Sequence, residues 1–424
     1  SLPGPIELAL VDIDAAALEL AERAIRRYND AHGSVLRVTS TQDRRVVLPD
    51  ADYVMASFTV GGLAAMEHDL AIPEKYGIRQ TVGDTVGPAG WARAVRFLPI
   101  WNDIASDMKA LCPDAWFMNF SNPLTPLTRV VTRNHGVRAM GLCAGVEHQA
   151  RYLATLAQAA PDARLEFDVA GVDHGSWFLS LGADGMDVLA RLRELGFCRS
   201  DDALPVAHPV DQYGREFASR AVFAIWRELG YMPALNDRHV AEFWPWLLAR
   251  EGTLPYGITP TSVAARRNRS RPMRDALMRY AETGDESIWT GWDTTPDATT
   301  HILMALSGQG DYVGSANVAN AGQLPGMPLG AVVETRCLFD SSGVHPVTTA
   351  LPPVLSALVL PHVIRQEAMC DIALSGTFDD LVSLVMTDPL CSRCLPGAVR
   401  SMMRELLWAN RAHIRNEALL HHSP

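Results

Sequence analysis

The chain has 424 residues, 48% of them hydrophobic, with 37 basic and 48 acidic residues for a formal net charge of −11, the make-up of a globular enzyme of two to three domains. No apolar run approaches the roughly 20 residues of a membrane helix and no Lys/Arg cluster offsets the acidic balance, so neither membrane nor nucleic acid is an expected partner. The 31 Gly and 27 Pro are scattered, the seven Cys are widely spaced, and no basic and apolar leader opens the sequence, which together predict an ordered cytoplasmic protein.

Residues 6–11 form a short apolar run that ends in Asp12-Ile13-Asp14 and reads as a strand. A helical pattern follows, with Leu18, Ala21, Ile25 and Tyr28 near 3.6-residue spacing and Asp14 as its N-cap. Further strands are predicted at 35–38, at 53–58 before Gly61-Gly62, at 116–120 and at 137–143, with a helix over 100–111. Strands alternating with helices predict an α/β fold with a mostly parallel, doubly wound sheet. In such sheets an acid at the end of the second strand commonly holds an adenosine ribose. Asp12 stands at that position, although a solvated strand-end Asp reads the same way. The chain opens just before what reads as the second strand, so a first strand and a Gly-rich phosphate loop are expected upstream of Ser1; the alternative is weak dinucleotide binding.

From about residue 165 the pattern changes. Strands are predicted at 167–172 and 177–181, then longer helices at 213–229, 239–250, 272–283 and 349–370, with Pro272 at a first helical position. An amphipathic stretch over 396–420 suits packing on the core or on a sister subunit, and a homodimer or homotetramer is expected. The predicted organisation is a Rossmann-like domain over 1–165 and a mixed α+β, helix-rich catalytic domain over 166–424.

Four stretches carry candidate chemistry. Gly83-Asp84-Thr85-Val86-Gly87-Pro88-Ala89-Gly90-Trp91 permits backbone shapes other residues resist, and reads as a binding loop or simply an unusual one. Asn119-Phe120-Ser121-Asn122-Pro123 ends a buried strand, where amides suit sugar hydroxyls and where a plain Asn-Pro turn also fits. Cys143 and His174 follow two strands, and a thiolate beside an imidazole suits a transition metal with open positions; lone core residues are the ordinary alternative. Residues 236–246 hold Asp237, Arg238, His239, Glu242, Trp244 and Trp246, a composition suited to a sugar-binding wall, while Asp237 equally fits a helix cap.

Taken in order, these stretches resemble glycoside hydrolase family 4, the NAD- and divalent-metal-dependent glycosidases. The resemblance spans nearly the whole chain. It runs through Val11-Asp12-Ile13-Asp14, Val60-Gly61-Gly62, Ile72-Pro73-Glu74-Lys75-Tyr76-Gly77, Gly87-Pro88-Ala89-Gly90, Asn122-Pro123 and Gly141-Leu142-Cys143. It continues with His174, residues 317–325, Val333-Glu334 and Leu351-Pro352-Pro353.

The resemblance implies a mechanism outside the two-carboxylate rule. NAD⁺ oxidises the sugar at C3, the acidified C2 proton is abstracted, the aglycone leaves by elimination, and water and the returned hydride complete hydrolysis. It further implies Mn²⁺ or another divalent metal on Cys143 and His174, and sugar contacts from Asn122, Asn119, Arg238 and His239. NAD contacts would come from Asp12 and Thr85. Where some members carry a Tyr base this chain has Phe243, which makes Asp237 the candidate base. Ala144 replaces a frequent His and Thr59 a common Arg, while Gly145 matches the glucuronide-acting members. Gly145 and Arg238 therefore favour an α-glucuronide or α-galacturonide as substrate. An α-glucosidase or α-galactosidase, a plain sugar dehydrogenase and an inactive sugar-binding relative are the competing readings. The general acid stays unassigned among Glu147, His148 and Asp173.

Overall fold

The apolar run at the start forms strand β1 (Ile6–Val11), which pairs in parallel with β2 (Leu36–Thr41) as a sheet of two strands. Between them Asp14 opens the helix Ala15–Ala31, its carboxylate accepting the N–H groups of Ala16 and Ala17, the usual service of a short acid at an N-cap. The computed structural model describes residues 6–199, 219–248, 251–289 and 298–421. None of the helices among them is long and apolar enough to cross a membrane.

A second sheet of ten strands carries the rest. Its parallel part is β3 (Tyr53–Ala56), β4 (Trp116–Asn119) and β5 (Arg138–Gly141), linked by helices. The remaining strands are β6 (Leu165–Gly171), β7 (Trp177–Ala183), β8 (Met186–Asp187), β9 (Met232–Pro233), β10 (Tyr312–Ala319), β11 (Val332–Asp340) and β12 (Gly343–Pro346). The order is β3-β4-β5-β10-β11-β6-β7-β8, with β9 on β7 and β12 on β11. Every pairing from β5–β10 onward is antiparallel. The expected parallel sheet is found in the first five strands, and the change of pattern expected from about residue 165 is the antiparallel part. The physical reason is connection type. A parallel pair needs a crossover, usually a helix, whereas β6–β7 and β10–β11 are joined without one. The result is a Rossmann-like half and a helix-rich half that share one sheet, with β10 of the second half docked on β5 of the first at Asn317 and Gly141.

Several helices differ from the sequence expectation for identifiable reasons. The helix expected from residue 100 begins at Gly87 and runs to Leu111. Pro88, which lacks an N–H, sits in the first turn where none is needed. Gly90 is required one step later, because a Cβ there would lie 2.6 Å from the Thr85 backbone carbon. This helix buries Trp91, Phe97, Leu98 and Trp101 completely and forms the centre of the core. Pro272 does not start its helix; Ser262 caps it, accepting from Ala265 N–H, and the helix Val263–Thr283 carries Pro272 inside. Of the helix expected over 239–250, a helix Asp237–Ala241 and a single 3₁₀ turn Pro245–Leu247 are present, and 249–250 lie outside the described residues. The expected helix at 213–229 is Arg220–Leu229, and 213–218 lie outside the described residues. The helix expected over 349–370 is Pro353–Ser375. The amphipathic stretch at the end is helical over Pro396–Ala409 and buries Val399, Met402, Met403, Leu406 and Leu407 in the core.

Candidate active site

Loops leaving the carboxyl ends of β4, β5 and β6 converge, as ligand-binding loops do in open α/β sheets. They bring in Asn122, Cys143 and His174, and the turn before the long helix adds Asp84 and Thr85. His174 Nε2 lies 3.6 Å from Cys143 Sγ and 3.6 Å from a carboxylate oxygen of Asp173. One donor atom from each of these three residues falls within 4.8 Å of the others. His174 adopts φ 64°, a left-handed backbone that a non-glycine residue holds only when its surroundings enforce it.

The other ring nitrogen of His174 is fixed from behind. Thr85 Oγ1 donates to Asp84 Oδ1 at 2.8 Å and stands 2.8 Å from His174 Nδ1. With its one proton given to Asp84, the hydroxyl accepts from Nδ1–H, which leaves the Nε2 lone pair facing Cys143 and Asp173. Asp84 also accepts from Asn122 Nδ2 at 3.1 Å, and Arg93 Nε donates to the Asn122 carbonyl at 2.7 Å. Burial alone would raise the Asp84 pKa, but His174, His239 and Arg93 hold it at about 2. Burial, with Asp173 and Glu334 adding to it, pushes the Cys143 thiol well above its ordinary value; a nearby divalent cation is what reverses such a shift. Gly145 N–H points at Cys143 Sγ from 3.4 Å, and a Cβ at Gly145 would meet Leu235 at 2.3 Å. Any larger residue beside the thiol would therefore have to displace the buried Leu235 side chain.

The short helix Asp237–Ala241 closes one side. The His239 ring lies 4.0 Å from that of His174, and His239 Nδ1 is buried with no partner. Burial and then His174 lower the His239 pKa well below its ordinary value. Glu242 accepts from Val82 and Gly83 N–H at 2.7 and 2.8 Å and is pushed by burial to about 8. A cavity beside His174 is walled by Trp177, Val240, Phe243, Trp244 and His362. Arg266, one turn into the helix Val263–Thr283, has a buried Nε without a partner, and its charge is felt by Asp84 and His239.

The sequence candidates divide clearly. Cys143, His174, Asn122 and His239 come together, and Asn122 keeps a buried Oδ1 without a partner. Asn119, expected to contact the sugar, is fully buried, donates to the Ser121 and Leu124 carbonyls, and accepts from Ser121 N–H, which ties it into its own loop. Asp237, the candidate base, stands where a cap of the helix Arg220–Leu229 would. It is fully buried, and its two oxygens accept the N–H groups of Ala221 and Val222 at the start of the helix Arg220–Leu229. Thr85, expected to contact the cofactor, has its hydroxyl between Asp84 Oδ1 and His174 Nδ1. Arg238 donates to Thr261 Oγ1, and its carbonyl accepts from Thr81. Asp12 stays exposed at the end of β1, where its Oδ1 accepts from Asp14 N–H at 2.8 Å. Sequence reasoning gave no role to Asp84; its position among glycines ahead of a helix was the only signal.

Residues 2–158 match the model described as family 4 glycosyl hydrolase, and residues 169–391 match the family 4 glycosyl hydrolase C-terminal domain. The chain is 31% identical over 430 residues to an alpha-galacturonidase of Thermoanaerobacterium saccharolyticum, covering 96% of this chain and 90% of that protein. It superposes on a crystal structure of a Bacillus subtilis protein provisionally described as a glucosidase with TM-score 0.82 and 27% identity, over 95% and 93% of the two chains. A 6-phospho-alpha-glucosidase from gut microorganisms, solved with NAD and Mn²⁺, shares the fold at TM-score 0.79 and 16% identity, over 97% and 92% of the two chains.

Proposed function

The chain belongs to the family 4 glycosyl hydrolases and is a glycosidase; from this premise we propose that it hydrolyses α-linked uronides, α-galacturonides first, with NAD and a divalent ion such as Mn²⁺. The observation that carries the reading is the convergence of Cys143 Sγ and a braced His174 Nε2 at the ends of two strands. This donor pair fits a divalent ion of mixed soft and borderline preference. When bound, NAD⁺ accepts and returns the electrons of sugar C3 while the ion polarises the neighbouring sugar oxygens.

The remaining work falls to this chain's side chains. Cys143 and His174 would hold the ion, with Thr85 and Asp84 keeping His174 in the competent tautomer. Asn122 would hold a sugar hydroxyl through its unpartnered Oδ1. His239 is the proposed acceptor of the C2 proton: its Nδ1 is uncommitted beside His174, whereas Asp84 and Asp237 already accept from fixed donors. Arg266, with Arg238 nearby, supplies cations for a uronate carboxylate. NAD is proposed to lie along the carboxyl ends of β1, β3 and β4, with Asp12 on its ribose. The proposed division puts the cofactor on 1–165 and the sugar against 166–424; the matched segments, ending at 158 and beginning at 169, support it.

The test is hydrolysis of an aryl α-galacturonide by the purified protein with Mn²⁺ and NAD⁺ in D₂O, followed by NMR. The reading expects deuterium at C2 of the released sugar and no net NADH. Hydrolysis without deuterium would indicate ordinary acid–base chemistry. Stoichiometric NADH without bond cleavage would indicate a dehydrogenase, and faster turnover of an α-galactoside would move the substrate assignment.

A further inference from the structure

Behind Cys143 lies an aspartate that the site as described leaves unused. Asp173 is fully buried, and neither of its carboxylate oxygens has a hydrogen-bond partner. A buried carboxylate without partners costs several kcal/mol, so such a group is kept where something else satisfies it. Consecutive side chains of an extended segment point to opposite sides. The left-handed backbone of His174, φ 64°, breaks that alternation just after β6, and Asp173 and His174 both offer donor atoms to the space in front of Cys143. The strain at His174 and the orphaned carboxylate are two independent signs of the same demand.

We propose that Asp173 is a third protein ligand of the divalent ion, forming a thiolate–imidazole–carboxylate set with Cys143 and His174. This deepens the metal reading given above and rests on it. The donors are mutually placed for one ion: 3.6 Å from Cys143 Sγ to His174 Nε2, 3.6 Å from that nitrogen to Asp173, and all three within 4.8 Å. Two anionic donors balance a 2+ charge inside a buried pocket, where an uncompensated charge is expensive. An oxygen donor also moves the set toward Mn²⁺ or Mg²⁺, which a thiolate and an imidazole alone do not favour. Three protein donors still leave positions for sugar oxygens, as a catalytic site requires. The ion is then held by the protein before the sugar arrives.

The experiment is Mn²⁺ binding to the full chain without substrate, read by the EPR signal of free Mn²⁺ and by calorimetry. It compares the parent with Asp173→Asn, Cys143→Ala and His174→Ala. Asp173→Asn is expected to weaken Mn²⁺ binding roughly 10–100-fold, and to raise the melting temperature of the metal-free protein because an unpaired buried acid is gone. Asp173→Ser, read the same way, keeps the test open should the amide variant misfold. An Asp173 variant that binds within about twofold of the parent, while the Cys143 and His174 variants lose binding, overturns this inference and leaves the two-ligand site standing. A parent that binds no divalent ion overturns the metal reading itself.

Discussion

Asp237→Asn separates two roles for one carboxylate. Oδ1 accepts from Val222 N–H at 2.9 Å and Oδ2 from Ala221 N–H at 3.1 Å, so the side chain holds the open end of the helix Arg220–Leu229. Burial raises its pKa from 3.8 to about 6, with the backbone N–H groups of Val222, Ala221 and Arg220 and the Arg220 charge pulling the other way. An acid whose pKa is raised on folding adds its full stability below the unfolded value, and that contribution is lost as pH rises through the folded value. At about 1.36 kcal/mol per pH unit, the interval from 3.8 to about 6 corresponds to about 3 kcal/mol lost by neutral pH. The amide does not ionise, but it has a single acceptor oxygen. One of the two helix N–H groups then goes unpaired, which costs about 1–3 kcal/mol. Asp237→Asn should therefore be less stable than the parent near pH 4 by about that amount, and the gap should close or invert near pH 8. Urea unfolding of both proteins at the two pH values measures it. The cap assignment also expects kcat to change little, whereas loss of a general base costs roughly 10²–10⁴ in rate. A fall of that size, with a stability difference that does not vary with pH, would refute the cap argument and return Asp237 to the chemistry.

Asp84→Asn should weaken Mn²⁺ binding roughly tenfold or more through the Thr85–His174 chain; an unchanged EPR titration would show that the chain does not orient the imidazole. Arg266→Met should lower kcat/KM for an aryl α-galacturonide roughly 10–100-fold, since a charge-assisted bond is worth about 1.5–3 kcal/mol, and should leave an α-galactoside within about threefold. Equal losses on both substrates would remove Arg266 from carboxylate recognition. Asp69→Ala should destabilise the fold by about 3–5 kcal/mol, because Asp69 and Arg96 are a buried pair bonded at 2.9 Å and Asn410 also donates to Asp69. A melting temperature within a degree or two of the parent would show that water replaces the lost carboxylate.

What the sequence made legible follows from local rules, and what it hid follows from long-range ones. Asp14 could be read as a cap because a cap is satisfied within three residues, and it accepts from Ala16 and Ala17 as expected. Cys143 and His174 stand out at recognisable strand ends and by the family resemblance, and the fold brings them within 3.6 Å of each other. The sheet direction was not legible past β5, since β10 reaches β5 across more than 170 residues of chain. The Thr85–His174 contact joins residues 89 positions apart, and nothing in either segment announces the other. Asn119 and Asn122 show the sharper limit. They are the same residue type in one turn, yet Asn119 has both ends of its amide bonded within its own loop while Asn122 keeps an oxygen free beside Asp84. Residue type selects candidates; which candidate meets a ligand depends on whose hydrogen-bonding capacity the backbone has already taken. Asp237 and Asp173 divide in the same way. Helix N–H groups fill the first, while no backbone N–H bonds the second, which faces Cys143 and His174. The unsatisfied acid of the pair is therefore the one to pursue in the chemistry of this site.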